Sequence, residues 1–147
     1  MNDGDAASAR PETGALVLAA SNGPDECDAL TVRVRRGPGY MLIAVAGEVD
    51  YASVAGLRVR LLRLASAGRP LVADLDRVSF IDAAGLGALA SAARQAAAHG
   101  TSLRVVCARP RIRRLFRVTG LDQAVPLSET LEGALGVLAS TAKAEAV

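Results

Sequence analysis

The chain has no tryptophan and, in 147 residues, two phenylalanines and two tyrosines. Its core must therefore be built from Leu, Val, Ile and Ala, which narrows the case for platforms that stack bases or sugars. Histidine occurs once, at 99, and cysteine twice, at 27 and 107, eighty residues apart and in no CxxC pair, so no four-ligand zinc set can be assembled. This usage fits a reduced, cytoplasmic protein with unpaired thiols, a long-range disulfide from Cys27 being the other reading. The apolar stretch 14–20 is too short to span a bilayer or serve as a signal core, and no basic targeting region precedes it, so no membrane insertion is expected. GxxxxGK[ST], HExxH and GxSxG are all missing, which removes the sharp signatures of a triphosphate site, a zincin and an esterase elbow. The expectation is a non-enzyme with no cofactor and no metal.

The near balance of seventeen Lys plus Arg against fifteen Asp plus Glu hides an uneven distribution. Residues 1–28 hold six acids and one arginine, leaving sixteen bases against nine acids in residues 29–147. The main body is basic and its leader acidic, which invites acidic partners for the body. Composition divides the chain into an acidic, loosely ordered leader (1–28) whose run Ala15 to Ala20 can dock, a folded domain (29–139) and a short C-terminal tail (140–147).

Alternation of Leu30, Val32 and Val34 with Thr31, Arg33 and Arg35 predicts a half-buried strand, and Tyr40 to Ala46 a second, joined as a hairpin through Arg36-Gly-Pro-Gly39. Val54, Leu57, Leu61 and Leu64 form one helical stripe, stopped at Gly68. Leu71 to Leu75 reads as a buried strand, and Asp76 to Ile81 leads into a helix. The apolar face of that helix is expected at Leu86, Leu89, Ala90, Ala93 and Ala97, with Ser91, Arg94 and Gln95 outward and His99-Gly100 as the end. A strand with Leu103, Val105 and Cys107 follows, then a short basic helix opened by Pro110 and stopped at Gly120, with Ile112, Leu115 and Phe116 inward. A brief strand from Ala124 to Leu127 and a helix from Glu129 to Ala139, with Leu131, Leu135 and Leu138 inward, complete the order ββαβαβαβα. That order predicts a single α/β domain with a mixed, mostly parallel sheet and right-handed crossovers.

Polar residues offer several alternatives. Asp82 stands where a carboxylate caps the helix carrying Leu86, a role that competes with partner recognition. Glu48 and Asp50 divide between turn duties and interface contacts, and Asp74 and Asp76 lack further ligands for a cation. Gly85 and Gly87 bracket Leu86 at a junction that serves tight packing or, less readily, anion binding, since Ala90 breaks a GxGxxG pattern. Arg109, Arg111, Arg113, Arg114 and Arg117 form a basic face that is solvated or meets an acidic protein; without a helix-turn-helix or an aromatic-basic groove, no direct nucleic acid binding is expected.

Three segments, Gly47-Glu-Val-Asp50, Asp74-Leu-Asp-Arg-Val-Ser-Phe-Ile-Asp-Ala-Ala-Gly-Leu-Gly87 and Arg113-Arg-Leu-Phe-Arg-Val-Thr-Gly-Leu121, taken together resemble bacterial anti-sigma factor antagonists of the STAS family in order and spacing. The resemblance covers about residues 29–139. It implies a small mixed sheet packed by helices, and a surface that captures an anti-sigma factor, usually a serine kinase, so freeing a sigma factor. Carried over position by position, the partner surface comprises Glu48, Asp50, Ser53, Asp82, Ala83, Ala84, Gly85 and Leu86. The family's regulatory serine follows the central aspartate, where this chain has Ala83 and then Ala84, so neither position accepts a phosphoryl group. The leading expectation is an antagonist without the usual switch, with Ser79 and Ser53 as other hydroxyls and a monomer or weak dimer as the assembly. The same alanines also permit a degenerate STAS scaffold or an accessory subunit of a signalling or transport complex, a choice the fold alone does not make.

Overall fold

The computed structural model describes Leu16–Val17 and residues 30–137. The rest of the leader with Cys27, the inward turn expected of Leu138 and the C-terminal tail lie outside the described residues. Six strands form one sheet in sequential order: β1 (Leu16–Val17), β2 (Leu30–Gly37), β3 (Tyr40–Val49), β4 (Leu71–Ile81), β5 (Leu103–Val106) and β6 (Leu127–Ser128). The first three are antiparallel neighbours and the last four parallel ones. The leader's apolar run thus contributes an edge strand, with Leu16 opposite Val34 and Val17 opposite Arg33.

Each parallel step needs a crossover helix. These are α1 (Val54–Ala65), α2 (Ala83–Ala98) and α3 (Pro110–Thr119), the last followed by a 3-10 turn at Leu121–Gln123. The three crossovers advance in the same direction along the sheet, so right-handed connections put all three helices on one face. Their buried side chains, among them Leu57, Leu61, Leu89, Ile112 and Phe116, join the sheet's Val32, Ile43, Val45, Leu71, Ala73 and Val105 in the main core. A last helix, α4, described over 131–137, covers part of the opposite face, where Ala134 meets Leu42, Val72 and Val106.

Four local readings change. Strand β4 runs unbroken to Ile81 because β3 continues to Val49 and pairs with it, whereas the sequence pattern ends the two strands at Leu75 and Ala46. The core face of α2 is Gly85, Leu86, Ala88, Leu89, Ala92 and Ala96; Ala97 is exposed, and Ser91 and Gln95 are half-buried. The two polar residues stitch α2 to α1, with Gln95 Nε2 donating to Ser66 Oγ at 2.7 Å and Arg58 Nη1 donating to Ser91 Oγ at 3.3 Å. The strand expected from Ala124 begins at Leu127, because Ala124 and Val125 donate instead to the carbonyl of Leu121 and Pro126 has no N–H to give a ladder. Cys107 lies just past β5, fully buried, and its N–H donates to the Ser128 carbonyl at 2.9 Å.

Candidate functional site

The turn between β3 and α1 is closed by reciprocal bonds. Asp50 Oδ1 accepts from the Ser53 N–H at 2.9 Å, and Ser53 Oγ accepts from the Asp50 N–H at 3.1 Å while donating to the Glu48 carbonyl at 2.9 Å. The Val54 N–H then donates to the Asp50 carbonyl at 2.9 Å, which starts the helix. Glu48 is left pointing to solvent, whereas Asp50 and Ser53 are half-buried and occupied with the turn.

Asp82 ties this turn to α2. Its extended backbone makes it the N-cap, and Oδ1 accepts from the Gly85 N–H at 3.1 Å, one of the donors a helix start leaves without a partner. Oδ2 accepts from the Tyr51 N–H at 3.1 Å, thirty-one residues earlier, and the Asp82 N–H donates to the Val49 carbonyl at 3.1 Å. One carboxylate therefore holds two segments in register, a capping role with a second anchor that the sequence does not display. Asp82→Ala should cost about 1–2 kcal/mol by loss of the cap. In the same variant the Tyr51 amide should exchange faster with solvent, as read by thermal melts and hydrogen exchange; an unchanged Tyr51 exchange rate would refute the clamp.

Ala83, immediately after the cap, is exposed and Ala84 half-buried, while Gly85 and Leu86 turn inward. Gly85 has no room for a side chain: a Cβ there would lie 2.7 Å from Ile81 Cγ1 and Val49 Cγ1 and 3.1 Å from the Val49 carbonyl oxygen. Its smallness lets the helix start sit against β3 and β4, and its backbone N–H feeds the Asp82 cap. Of the eight residues expected to meet a partner, Glu48 and Ala83 are exposed, Ala84 is half-buried, Asp50, Ser53 and Asp82 are half-buried and bonded within the turn and cap, and Gly85 and Leu86 are buried beneath them.

Two exposed aromatics next to them did not emerge from the sequence as site residues. Tyr51 is 85% exposed and Phe80 48% exposed. Phe80 stands opposite Glu48 across the β3–β4 ladder, two positions before Asp82. The chain has four aromatic residues, and these two are both turned to solvent near Asp82 in sequence or through a backbone bond to it.

The other polar candidates stand apart from this surface. Asp74 and Asp76 line an open hollow of about 700 Å³ on the back of the sheet, with Arg33, Arg35 and Arg77. Both carboxylates are tied to backbone: Asp74 Oδ1 accepts from the Asp76 N–H at 3.0 Å, and Asp76 Oδ1 from the Ala108 N–H at 2.7 Å. No group of three or more His, Cys, Asp or Glu is placed to hold a metal among the described residues. The basic set divides as well. Arg109 Nε donates to the Asp76 carbonyl at 2.8 Å and Arg113 Nη1 to the Cys107 carbonyl at 2.9 Å, while Arg111, Arg114 and Arg117 are exposed. His99 is exposed at the C-cap of α2, its Nδ1 3.0 Å from the Gln95 carbonyl. No helix of the described residues is long and apolar enough to cross a membrane.

Burial pushes the Cys107 thiol above its usual pKa range; the Asp76 carboxylate adds to the rise, and the Arg109 N–H and the Arg113 and Arg109 guanidinium groups oppose it. The stability this neutral thiol contributes is full below the unfolded pKa, about 8.5, and is lost as pH rises through the higher folded value. In a Cys27→Ser background, a thiol reagent at neutral pH should label Cys107 only as fast as the fold opens. Instant labelling of the native chain would contradict this burial.

A sequential mixed sheet with three crossover helices on one face sets the class, and the chain belongs to the STAS domain family, whose model matches residues 31–134. Membership makes it a regulatory, protein-binding module and not an enzyme. Among particular relatives, the anti-sigma-B factor antagonist of Bacillus subtilis is 33% identical over 104 residues, spanning 71% of this chain and 95% of the relative. A crystal structure of an anti-sigma factor antagonist from Mycobacterium paratuberculosis superposes with a TM-score of 0.70 at 31% identity, over 76% of this chain and 95% of that one. The unphosphorylated form of SpoIIAA, an anti-sigma factor antagonist of Bacillus, shares the fold, with a TM-score of 0.62 at 19% identity over 74% of this chain and 96% of its own.

Proposed function

We propose that this protein is an anti-sigma factor antagonist: it binds an anti-sigma factor and thereby releases a sigma factor to RNA polymerase. The observation that carries the reading is the 33% identity extending over nearly the whole of the Bacillus subtilis antagonist, 95% of its length. The binding surface we assign comprises Glu48, Tyr51, Phe80, Ala83 and Ala84, held in place by Asp50, Ser53 and Asp82 and supported by Gly85 and Leu86. An apolar aromatic pair beside a carboxylate is the kind of surface on which association with another protein concentrates its energy.

Ala83 is the position equivalent to the family's phosphoacceptor, and a methyl group there takes no phosphate. A phosphoserine at the first turn would bring about two negative charges and three strong acceptors to the centre of this surface. Ala83 keeps that centre uncharged, so binding is not switched at this residue, including where the anti-sigma factor is itself a serine kinase. Alanine also lacks the hydroxyl that competes for backbone bonds, which favours an intact helix start.

The test is a titration of the purified full chain against candidate anti-sigma factors, followed by release of sigma factor from the preformed complex. Binding with release is expected; failure to bind any of them would refute the reading. With a kinase-type anti-sigma factor and ATP, residues 83 and 84 should stay unmodified in the natural chain, and Ala83→Ser should gain phosphate at 83, as read by phosphosite mass spectrometry. An A83S chain that binds but never takes phosphate would show that the docking geometry differs from the family's.

A further inference from the structure

Helices α1 and α2 together carry Arg58, Arg60, Arg63 and Arg94 and no Asp or Glu, so no turn of either helix offers these guanidinium groups an acid. The carboxylates at the two helix starts are occupied, Asp50 in the turn before α1 and Asp82 in the cap of α2. Two of the four cations nevertheless meet. Arg58 Nη1, from α1, and Arg94 Nη2, from α2, both donate to Ser91 Oγ at 3.3 Å. The two nitrogens therefore lie within about 7 Å of one another, where like charges repel unless an anion stands between them. Ser91 accepts their hydrogen bonds but, being neutral, does not offset their charge. Arg58 is half-buried, so water screens that repulsion less than it would at the open surface. Ser91 stands two turns, about 10 Å, along α2 from Ala84, and Arg94 follows three residues later, so Ala84, Ser91 and Arg94 share one face. Gly87, between Ala84 and Ser91, has open space where a Cβ would stand, which leaves the way along that face clear.

We propose that Arg58 and Arg94, with Ser91 between them, receive a carboxylate side chain of the anti-sigma factor, so that one acidic residue of the partner fixes where it sits along α2. This role rests on the function proposed above and names the chemistry the partner must bring. A carboxylate has two oxygens, and two guanidinium groups gathered on one hydroxyl present N–H donors to both. Its charge replaces the repulsion between the cations by attraction to a common centre. Other exposed positions of the two helices, Ala55, Gly56, Val59, Ala83 and Ala97, are small or apolar. Such surroundings suit a protein chain that runs from Ala83 across Gly87 to Arg94, whereas the closely spaced phosphates of a nucleic acid call for a longer run of cations. The two arginines differ in exposure, and their effects should differ accordingly: exposed Arg94 speeds encounter with an acidic partner, and half-buried Arg58 slows its departure.

The test is surface plasmon resonance of the full chain and its Arg94→Gln, Arg58→Gln and Arg94→Glu variants against the anti-sigma factor that wild type binds, at low and at physiological salt, with thermal melts to show that each variant is folded. R94Q is expected to bind about tenfold more weakly, through slower association, and with a shallower dependence on salt; R58Q is expected to dissociate faster. R94E should lose more than R94Q, and exchange of one acid of the anti-sigma factor for lysine should restore binding to R94E while weakening binding to wild type. Arg94 is exposed, so a folded variant reads contact and not scaffolding. R94Q and R94E chains that bind as tightly as wild type at low salt overturn the arginine pair and leave the proposed function standing. A loss in R94E that no single charge reversal on the partner repairs overturns the pair as well. A wild-type chain that binds no anti-sigma factor defeats the proposed function, and the arginine pair with it.

Discussion

Gly85→Val is expected to cost the fold about 3 kcal/mol, since overpacking a tight site costs about 1–3 kcal/mol and valine adds a branched side chain to a helix's first turn. The contacts a Cβ would make are with Ile81, Val49 and the Val49 carbonyl, and a carbonyl cannot swing aside as the end of a flexible side chain can. For a chain of this size the loss corresponds to a fall in Tm of about 6–12 °C. The helix start must also back away from β3, which pulls the Gly85 N–H from Asp82 Oδ1 and loosens the surface that Asp82 organises. Partner binding should therefore weaken together with stability. Gly85→Ala, with a methyl alone, should lose less of both. A G85V chain that melts with wild type would show that the helix and sheet are not in the contact described.

The same residue explains why the sequence was readable in part. Strands with alternating Leu and Val, helices with Leu at helical spacing and the turn residues Gly68, Gly100 and Gly120 all point to their observed places, because large apolar side chains announce their burial. In α2 the buried positions 85, 88, 92 and 96 are Gly, Ala, Ala and Ala, which gain their place by being small. A reading by hydrophobicity follows Leu86 and Leu89 but cannot choose among so many alanines, and it rotates the rest of the face toward Ala93 and Ala97. The bulges of β4 are equally silent. Nothing in Asp76 to Phe80 signals that extra residues will shift the alternation, yet that shift is what turns Val78 into the core and Ser79 to the surface. The site was legible where a single residue type has a local duty, as with Asp82 at the cap. It was not where the duty is long-range, as with the bond from the same carboxylate to Tyr51.

Tyr51→Ala should leave Tm unchanged within about 0.5 kcal/mol of stability, since the side chain is 85% exposed and the bond that fixes this turn runs through its backbone. Binding to the anti-sigma factor, in contrast, should fall by about 2 kcal/mol or more, roughly thirtyfold, as expected for an aromatic anchor at the centre of an interface. The two readouts separate contact from scaffolding. Asp82→Ala removes the clamp and affects both stability and binding, whereas Y51A removes the ring and leaves the clamp in place. Tyr51→Phe keeps the ring and should retain most of the affinity unless the hydroxyl itself meets the partner. Calorimetric titration of the three variants against one anti-sigma factor orders them: a Y51A chain that binds as tightly as wild type would move the energetic centre of the surface away from the β3–α1 turn and toward Phe80 and Ala83.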